Sequence, residues 1–287
     1  RGGIMVEQSY WEYNQPEKPT LRYISLGAGV QSSVLALMAS RGEIKPIPDF
    51  AIFADTQWEP AQIYKHLDWL EKQLSFPVYR VSYGDIRKMS LDTLNGCQSP
   101  SMPVFINNAE GGIIGRQCTQ DYKIDPIYKK VRELMGYKKG QRLPKDTVVE
   151  SWMGISRDEI RRMKDSRKWW VINRYPLIEL GMTRHQCREW FSKHYPGRTL
   201  SRSACIGCPY RNDKEWRQMR DQDPVSWSDA VEFDHAMRSG ESNIFHLRNA
   251  GFLHSSMIPL DEVDLSTEQD RGQLDMFGEE CEGMCGV

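Results

Sequence analysis

"LRYISLGAGVQSSVLALMASRG", residues 21–42, decides the fold. LRYISLG is a β-rich run ending in glycine, and SSVLALMASRG continues as a helix closed by Gly42. Between them Gly27, Ala28 and Gly29 let the backbone come close to a phosphate. Ser32 and Ser33 then open the helix, where free N–H groups and the helix dipole favour an anion. The turn is not a Walker loop, because no Gly-Lys-Ser/Thr follows. It is not G-x-G-x-x-G either, since Ser32 stands at the third glycine position. Many α/β proteins use such a turn only structurally.

The same alternation continues outward. PDFAIFADT (48–56) reads as a second strand, a helix follows from about Pro60 to Leu74, and FPVYRVSY (76–83) reads as a third strand. Strand, helix, strand, helix, strand is the order that builds a parallel sheet. DPIYKKVRELMGY (125–137) predicts another helix and TVVESWMGIS (147–156) a fourth strand. TRHQCREWFSKHY (183–195) predicts a helix with Thr183 as its N-cap. Residues 1–19 read as a loose arm, and 84–117, rich in Gly, Asn, Ser and Pro, as a long loop or flap. The expected organisation is an α/β nucleotide-binding domain over 20–204, a Cys-containing, mostly helical part over 205–260 and an acidic tail over 261–287.

The 287 residues suffice for one large core, or a core plus a smaller appendage. No run of 18 apolar residues occurs, so no membrane span is expected. RGGIM reads as a remnant ahead of a native start at Met5, and the N-terminus lacks a secretory pattern, so a cytoplasmic location is expected. Seven cysteines, an odd number, point to metal binding or redox chemistry rather than a disulfide scaffold. The chain holds 38 basic and 39 acidic residues, but nine of the acids fall between Asp261 and Glu282 against Arg271 alone. Without that segment 37 basic and 30 acidic residues remain, a body of about +7. Much of the excess lies in RDEIRRMKDSRKWWVINR (157–174) and between Arg198 and Arg220, which suits a polyanion such as nucleic acid. Solvated helix faces would account equally for any one of these charges.

GAGVQS, Gly27 to Ser32, resembles the pyrophosphate loop of the N-type ATP pyrophosphatases and the related phosphoadenosine phosphosulfate reductases, whose usual form is Ser-Gly-Gly-x-Asp-Ser. Gly27 replaces the first serine and Gln31 the aspartate. FADTQWEP resembles the family's Asp-Thr-Gly segment through Asp55 and Thr56. MGISRDEIRRM resembles its Gly-x-Arg-x-x-Glu-Ser segment through Gly154, Arg157, Glu159 and Arg162. YPLIELGMTRHQCREWF resembles the Asn-Pro-Leu segment and the helix after it, so the likeness spans roughly Leu21 to Arg211. The resemblance implies a Rossmann-like, doubly wound parallel sheet. It also implies an ATP or adenylylsulfate-type nucleotide with Mg2+, held by Ser25, Gly27, Ala28, Gly29, Gln31, Ser32, Ser33, Asp55, Thr56, Gly154, Arg157, Glu159 and Arg162. For the arginines the competing reading is an ion pair with Asp158 or Glu159.

SACIGCPYRND (203–213) carries Cys205 and Cys208 at C-x-x-C spacing before Pro209, with no second such pair for a zinc ribbon. RQCTQDYKIDPI, with Cys118, resembles the Cys-Cys-x-x-Arg-Lys-Val-x-Pro-Leu segment of the iron–sulfur adenylylsulfate reductases, with Gln117 at the first cysteine. Three of that family's four ligands are thus present: Cys118, Cys205 and Cys208. They suit a [4Fe–4S] cluster with one iron open to another ligand, a zinc site with one added ligand, or a Cys205–Cys208 redox dithiol. Cys97, Cys281 and Cys285 are candidates for the fourth ligand, while Cys187 reads as a packed helix residue. EECEGMCGV resembles the reductases' Glu-Cys-Gly-Leu-His tail without its histidine, making Cys281 and Cys285 candidate nucleophiles or sulfur relays.

The first functional expectation is an iron–sulfur-dependent sulfurtransferase that adenylates and thiolates a tRNA base or a DNA phosphate. Its sulfur would come from a cysteine desulfurase. The second is a reductase forming sulfite with a thioredoxin-like reductant. The third is a non-catalytic nucleotide- or cluster-sensing module. A homodimer is compatible with each.

Overall fold

The computed structural model describes residues 18–92, 102–106, 112–115, 117–238 and 251–266. All of the expected arm but residues 18 and 19, most of the acidic tail, and Cys97, Cys281 and Cys285 lie outside the described residues. In chain order the elements begin β1 (Leu21–Leu26), α1 (Val30–Ser40), β2 (Phe50–Asp55), α2 (Ala61–Glu71), β3 (Val78–Ser82) and α3 (Ile86–Asp92). β4 (Val104–Ile106), β5 (Ile113–Ile114), α4 (Asp125–Leu134), β6 (Val149–Met153) and β7 (Val171–Arg174) follow. α5 (Pro176–Glu179), α6 (Arg184–His194), α7 (Asp213–Gln222), α8 (Pro224–Ala236) and β8 (Gly251–Phe252) complete the set.

The chain divides into two compact units. One takes the residues up to Ala54, Ala61–Val81 and Pro126–Ser203; the other takes Asp55–Pro60, Ser82–Asp125 and the residues from Ala204. The described residues of the expected flap and of the C-terminal Cys-containing part therefore belong to one unit, although the 78 residues Pro126–Ser203 of the first unit separate its segments in sequence.

The first unit is α/β, with an all-parallel five-stranded sheet flanked by helices in the order β3-β2-β1-β6-β7. β1 is central: Ile24 lies beside Ala51 of β2 and beside Trp152 of β6. Alternate residues of each strand leave on opposite faces. Ile24, Leu26, Ala51 and Phe53 join α1, α2 and Phe191 of α6 in one apolar cluster. Tyr23, Phe50 and Ile52 join Ile127 and Val131 of α4 in another. Both faces are covered, which is why the strands read as near-continuous apolar runs. α1 is buried along its whole length from Val30 to Ala39, so it has almost no polar face. β7 was not expected from the sequence; it exists by pairing with β6, Trp152 beside Arg174.

In the second unit β4 pairs antiparallel with both β5 and β8, and α7 packs on α8. Asp234 of α8 is fully buried and ties the returning chain down. Its carboxylate accepts the N–H groups of Leu253 (2.8 Å) and Leu260 (2.9 Å) and pairs with Arg238 at 2.6 Å. Among the described residues no helix is long and apolar enough to cross a membrane.

Candidate functional site

The strand order reverses between β1 and β6: β2 and β3 lie to one side of β1, β6 and β7 to the other. In open parallel sheets, ligands bind outside the carboxyl ends of the strands at such a switch point. Both motifs singled out for phosphate, Gly27–Ser33 after β1 and Gly154–Arg162 after β6, emerge there.

The loop is built from its small residues. Ala28 takes a φ of 56°, a left-handed conformation that costs a residue with a Cβ, and is itself buried. The N–H groups of Gly27 and Gly29 converge on Ser32 Oγ at 3.2 and 3.3 Å. The first-turn N–H groups of α1 lack intrahelical acceptors by the geometry of any helix start. Gly154 packs against this turn so closely that a Cβ there would lie 2.6 Å from Ser32 Cα. A Cβ on Gly29 would meet Ser203 N at 3.4 Å, an ordinary contact. Ser33 is fully buried and hydrogen-bonds His66 Nε2 at 2.9 Å. Burial, with the nearby Arg198 charge, lowers the His66 pKa to about 4, so its ring is neutral at pH 7. Ser25 sits on β1 beside Met153 of β6.

Gln31, standing where the family has aspartate, turns from the loop toward the second motif. Its Nε2 donates to Glu159 Oε2 at 3.0 Å and lies 3.3 Å from Ser156 Oγ. Glu159 is buried; Arg162 pairs with it at 2.7 Å and Arg184 stands at 3.9 Å. Arg162 thus pairs with Glu159, one of the two acids named as its possible ion-pair partners. Asp158 accepts the N–H of Arg184 at the start of α6. Arg157 is exposed, its own N–H bonded to Met182 O at 2.8 Å. Thr183 caps α6 as expected, accepting from Gln186 N–H.

Asp55 and Thr56, expected beside the nucleotide, belong to the second unit. Asp55 Oδ1 accepts Gln57 N–H at 2.7 Å. Thr56 is buried, and its hydroxyl lies 3.2 Å from Cys205 Sγ. Glu59, which the sequence reading passed over, is buried with Oε1 3.5 Å from that hydroxyl and 3.7 Å from the same sulfur. In the sequence it stands among Asp55, Thr56, Gln57 and Gln62, so its polarity did not set it apart.

The C-x-x-C forms a tight turn, Cys208 N–H donating to Cys205 O at 3.1 Å. Arg211 clamps it through Nη2, which donates to Ala204 O (2.9 Å) and Cys205 O (3.0 Å). Gly207 faces Trp58, and a Cβ there would sit 2.3 Å from its ring. Cys118 and Cys205 pack against one apolar cluster with Trp58, Met102 and Trp216, and Cys208 is buried. Cysteine thiols are the donors that an iron–sulfur cluster or zinc takes, so the residue types fit such a group. Among the described residues, however, no three His, Cys, Asp or Glu side chains stand together as a metal-holding group. Cys187 is fully buried in α6, and burial pushes its thiol up to about 12.

No protein-family model and no curated protein matches the chain.

Proposed function

We propose that the protein is an ATP pyrophosphatase of the pyrophosphate-loop type that activates a nucleic-acid oxygen for thiolation. The observation that carries this reading is the glycine-rich turn at the switch point of a parallel sheet, pressed against Gly154 at the end of β6. In this reading the loop N–H groups and the start of α1 bind the phosphates of Mg2+-bound ATP. Arg157 orients them from the second motif. A substrate oxygen attacks the α-phosphorus, the bond to the β-phosphate oxygen breaks and pyrophosphate leaves. A sulfur nucleophile then displaces AMP from the adenylated carbon or phosphorus. Gln31 holds Glu159, on which its amide is spent, and Glu159 in turn holds Arg162.

Cys118, Cys205 and Cys208 would hold a [4Fe–4S] cluster, which when bound supplies redox chemistry and a site for sulfur. Thr56 and Glu59 would orient Cys205. A cysteine desulfurase is the class of enzyme that would supply the sulfur.

The test is pyrophosphate release from ATP with and without added tRNA or DNA, alongside mass spectrometry of nucleosides from cells with and without the gene. Stimulation by nucleic acid together with a missing thionucleoside or phosphorothioate supports the reading. Sulfite production from adenylylsulfate would replace it with the reductase. Nucleotide binding with neither activity would leave a sensing module.

A further inference from the structure

The stretch after Arg162 is a basic, aromatic surface that the nucleotide site does not use. Two adjacent tryptophans are treated oppositely by the fold. Trp170 is buried and meets Tyr128 edge-on at 5.5 Å, whereas Trp169 is 64% exposed. Tryptophan is highly buried on average, so an indole left this open calls for a reason.

The backbone that presents it is pinned at several points. Tyr175 Oη accepts Lys164 N–H at 2.9 Å and donates to Lys164 O at 2.6 Å. Asn173 Nδ2 donates to the same carbonyl at 2.8 Å. Ser166 Oγ accepts Lys168 N–H at 3.1 Å and lies 3.2 Å from Tyr128 Oη. Val171 N–H closes the turn on Lys168 O at 3.0 Å. Trp169 therefore stands on a turn held from both sides. Beyond it Ile172 is 37% exposed on β7, an edge strand of the sheet.

The charges complete the patch. Lys164, Arg167 and Lys168 are all exposed, and no acidic partner is found for any of them among the described residues. Asp165 is the one acid among residues 163–172. Trp169 and Arg167 are residue types found at protein interfaces too, but Lys164 and Lys168 are types depleted there and suited to phosphates. An exposed indole among exposed cations on a preformed turn is the equipment for stacking a base and tracking its phosphates.

We infer that this turn is a docking platform for single-stranded nucleic acid, with an unpaired base on Trp169 and the adjoining phosphates on the surrounding cations. The inference rests on the proposed function for its link to catalysis: the platform begins two residues beyond Arg162, in the unit that carries the phosphate loop. A strand held here would be led toward the end of β6.

The test is fluorescence anisotropy with labelled 20-nucleotide DNA and RNA single strands and their duplexes, over a salt series. Trp169→Ala is expected to weaken single-strand binding by roughly 5- to 100-fold, and Trp169→Phe to retain most of it, because a π-face survives. Lys168→Ala is expected to reduce the salt slope by about 0.7. The DNA and RNA arms show which strand is preferred. Absence of binding by the wild type, or Trp169→Ala binding as tightly as wild type, overturns the platform. So does a Trp169→Ala variant that changes only the sedimentation behaviour, which would make the patch a contact between copies. Trp169-dependent binding without pyrophosphate release would leave the platform standing and remove the proposed reaction. Nucleic-acid-stimulated pyrophosphate release indifferent to Trp169 would do the reverse.

Discussion

Gly154 and Ser32 meet backbone to backbone: a Cβ on Gly154 would lie 2.6 Å from Ser32 Cα and 2.7 Å from Ser32 N. Because the atoms in the way are main-chain, no rotamer change can make room. Gly154→Ala is therefore expected to push the start of α1 away from β6. The loss should be about 1–3 kcal/mol of stability, typical of an overpacked core, with nucleotide affinity falling by roughly tenfold or more as the loop opens. Thermal melts and calorimetric titration with a non-hydrolysable ATP analogue measure both. Unchanged affinity would show that this contact does not shape a nucleotide site.

Gln31→Glu is expected to destabilise the protein at neutral pH by about 2 kcal/mol. The amide now donates to the buried Glu159 carboxylate at 3.0 Å; a second carboxylate would lose that bond and repel it. The penalty should shrink toward pH 5, where the two carboxylates can share a proton. Urea unfolding at pH 7 and pH 5 checks this, and an equal penalty at both would point to packing rather than charge.

His66 should make stability pH-dependent in a defined direction. Its folded pKa, about 4, lies below the ordinary 6.5 because burial and Arg198 both oppose the charged ring. Between these values the unfolded chain binds the proton more tightly, so stability is complete above about pH 6.5 and declines as pH falls toward 4. Allowing for partial exposure, the decline should reach about 2 kcal/mol. His66→Gln, measured by urea midpoints from pH 7 down to about 4.5, is expected to flatten that part of the profile. A variant as pH-sensitive as wild type would assign the effect elsewhere.

The thiols should separate by reactivity. Cys187 is fully buried and its pKa is pushed up to about 12, so it should resist iodoacetamide near neutral pH until the protein is unfolded. Half-buried Cys118 and Cys205 should be modified in metal-free native protein, as peptide mapping would show.

Cys118→Ala should bleach the brown colour expected of anaerobically purified protein. A colourless, zinc-loaded wild type would end the iron–sulfur reading.

The glycine-rich turn and the strand–helix alternation were legible because they are local: apolar runs, small residues at one turn and a capping threonine each declare themselves within a few positions. Gly154 and Arg157 were named by motif, and the topology sets them at the same end of the sheet as that turn. β7 was not legible, since Val171–Arg174 shows no period-two alternation in its apolar residues and becomes a strand only through hydrogen bonds to β6. Nor was Glu59, whose meaning depends on a sulfur 146 positions away.

By itself the sequence determined a parallel α/β core, the place of its glycine-rich turn and the cysteines worth watching, because backbone propensity and side-chain period are short-range properties. Only the tertiary structure decided the strand order, the turning of Gln31 onto Glu159, the company that Thr56 keeps with Cys205 and the exposure of Trp169 beside a buried Trp170. Those depend on which distant segments share a core, and burial and hydrogen bonding are settled there, between residues far apart in the chain.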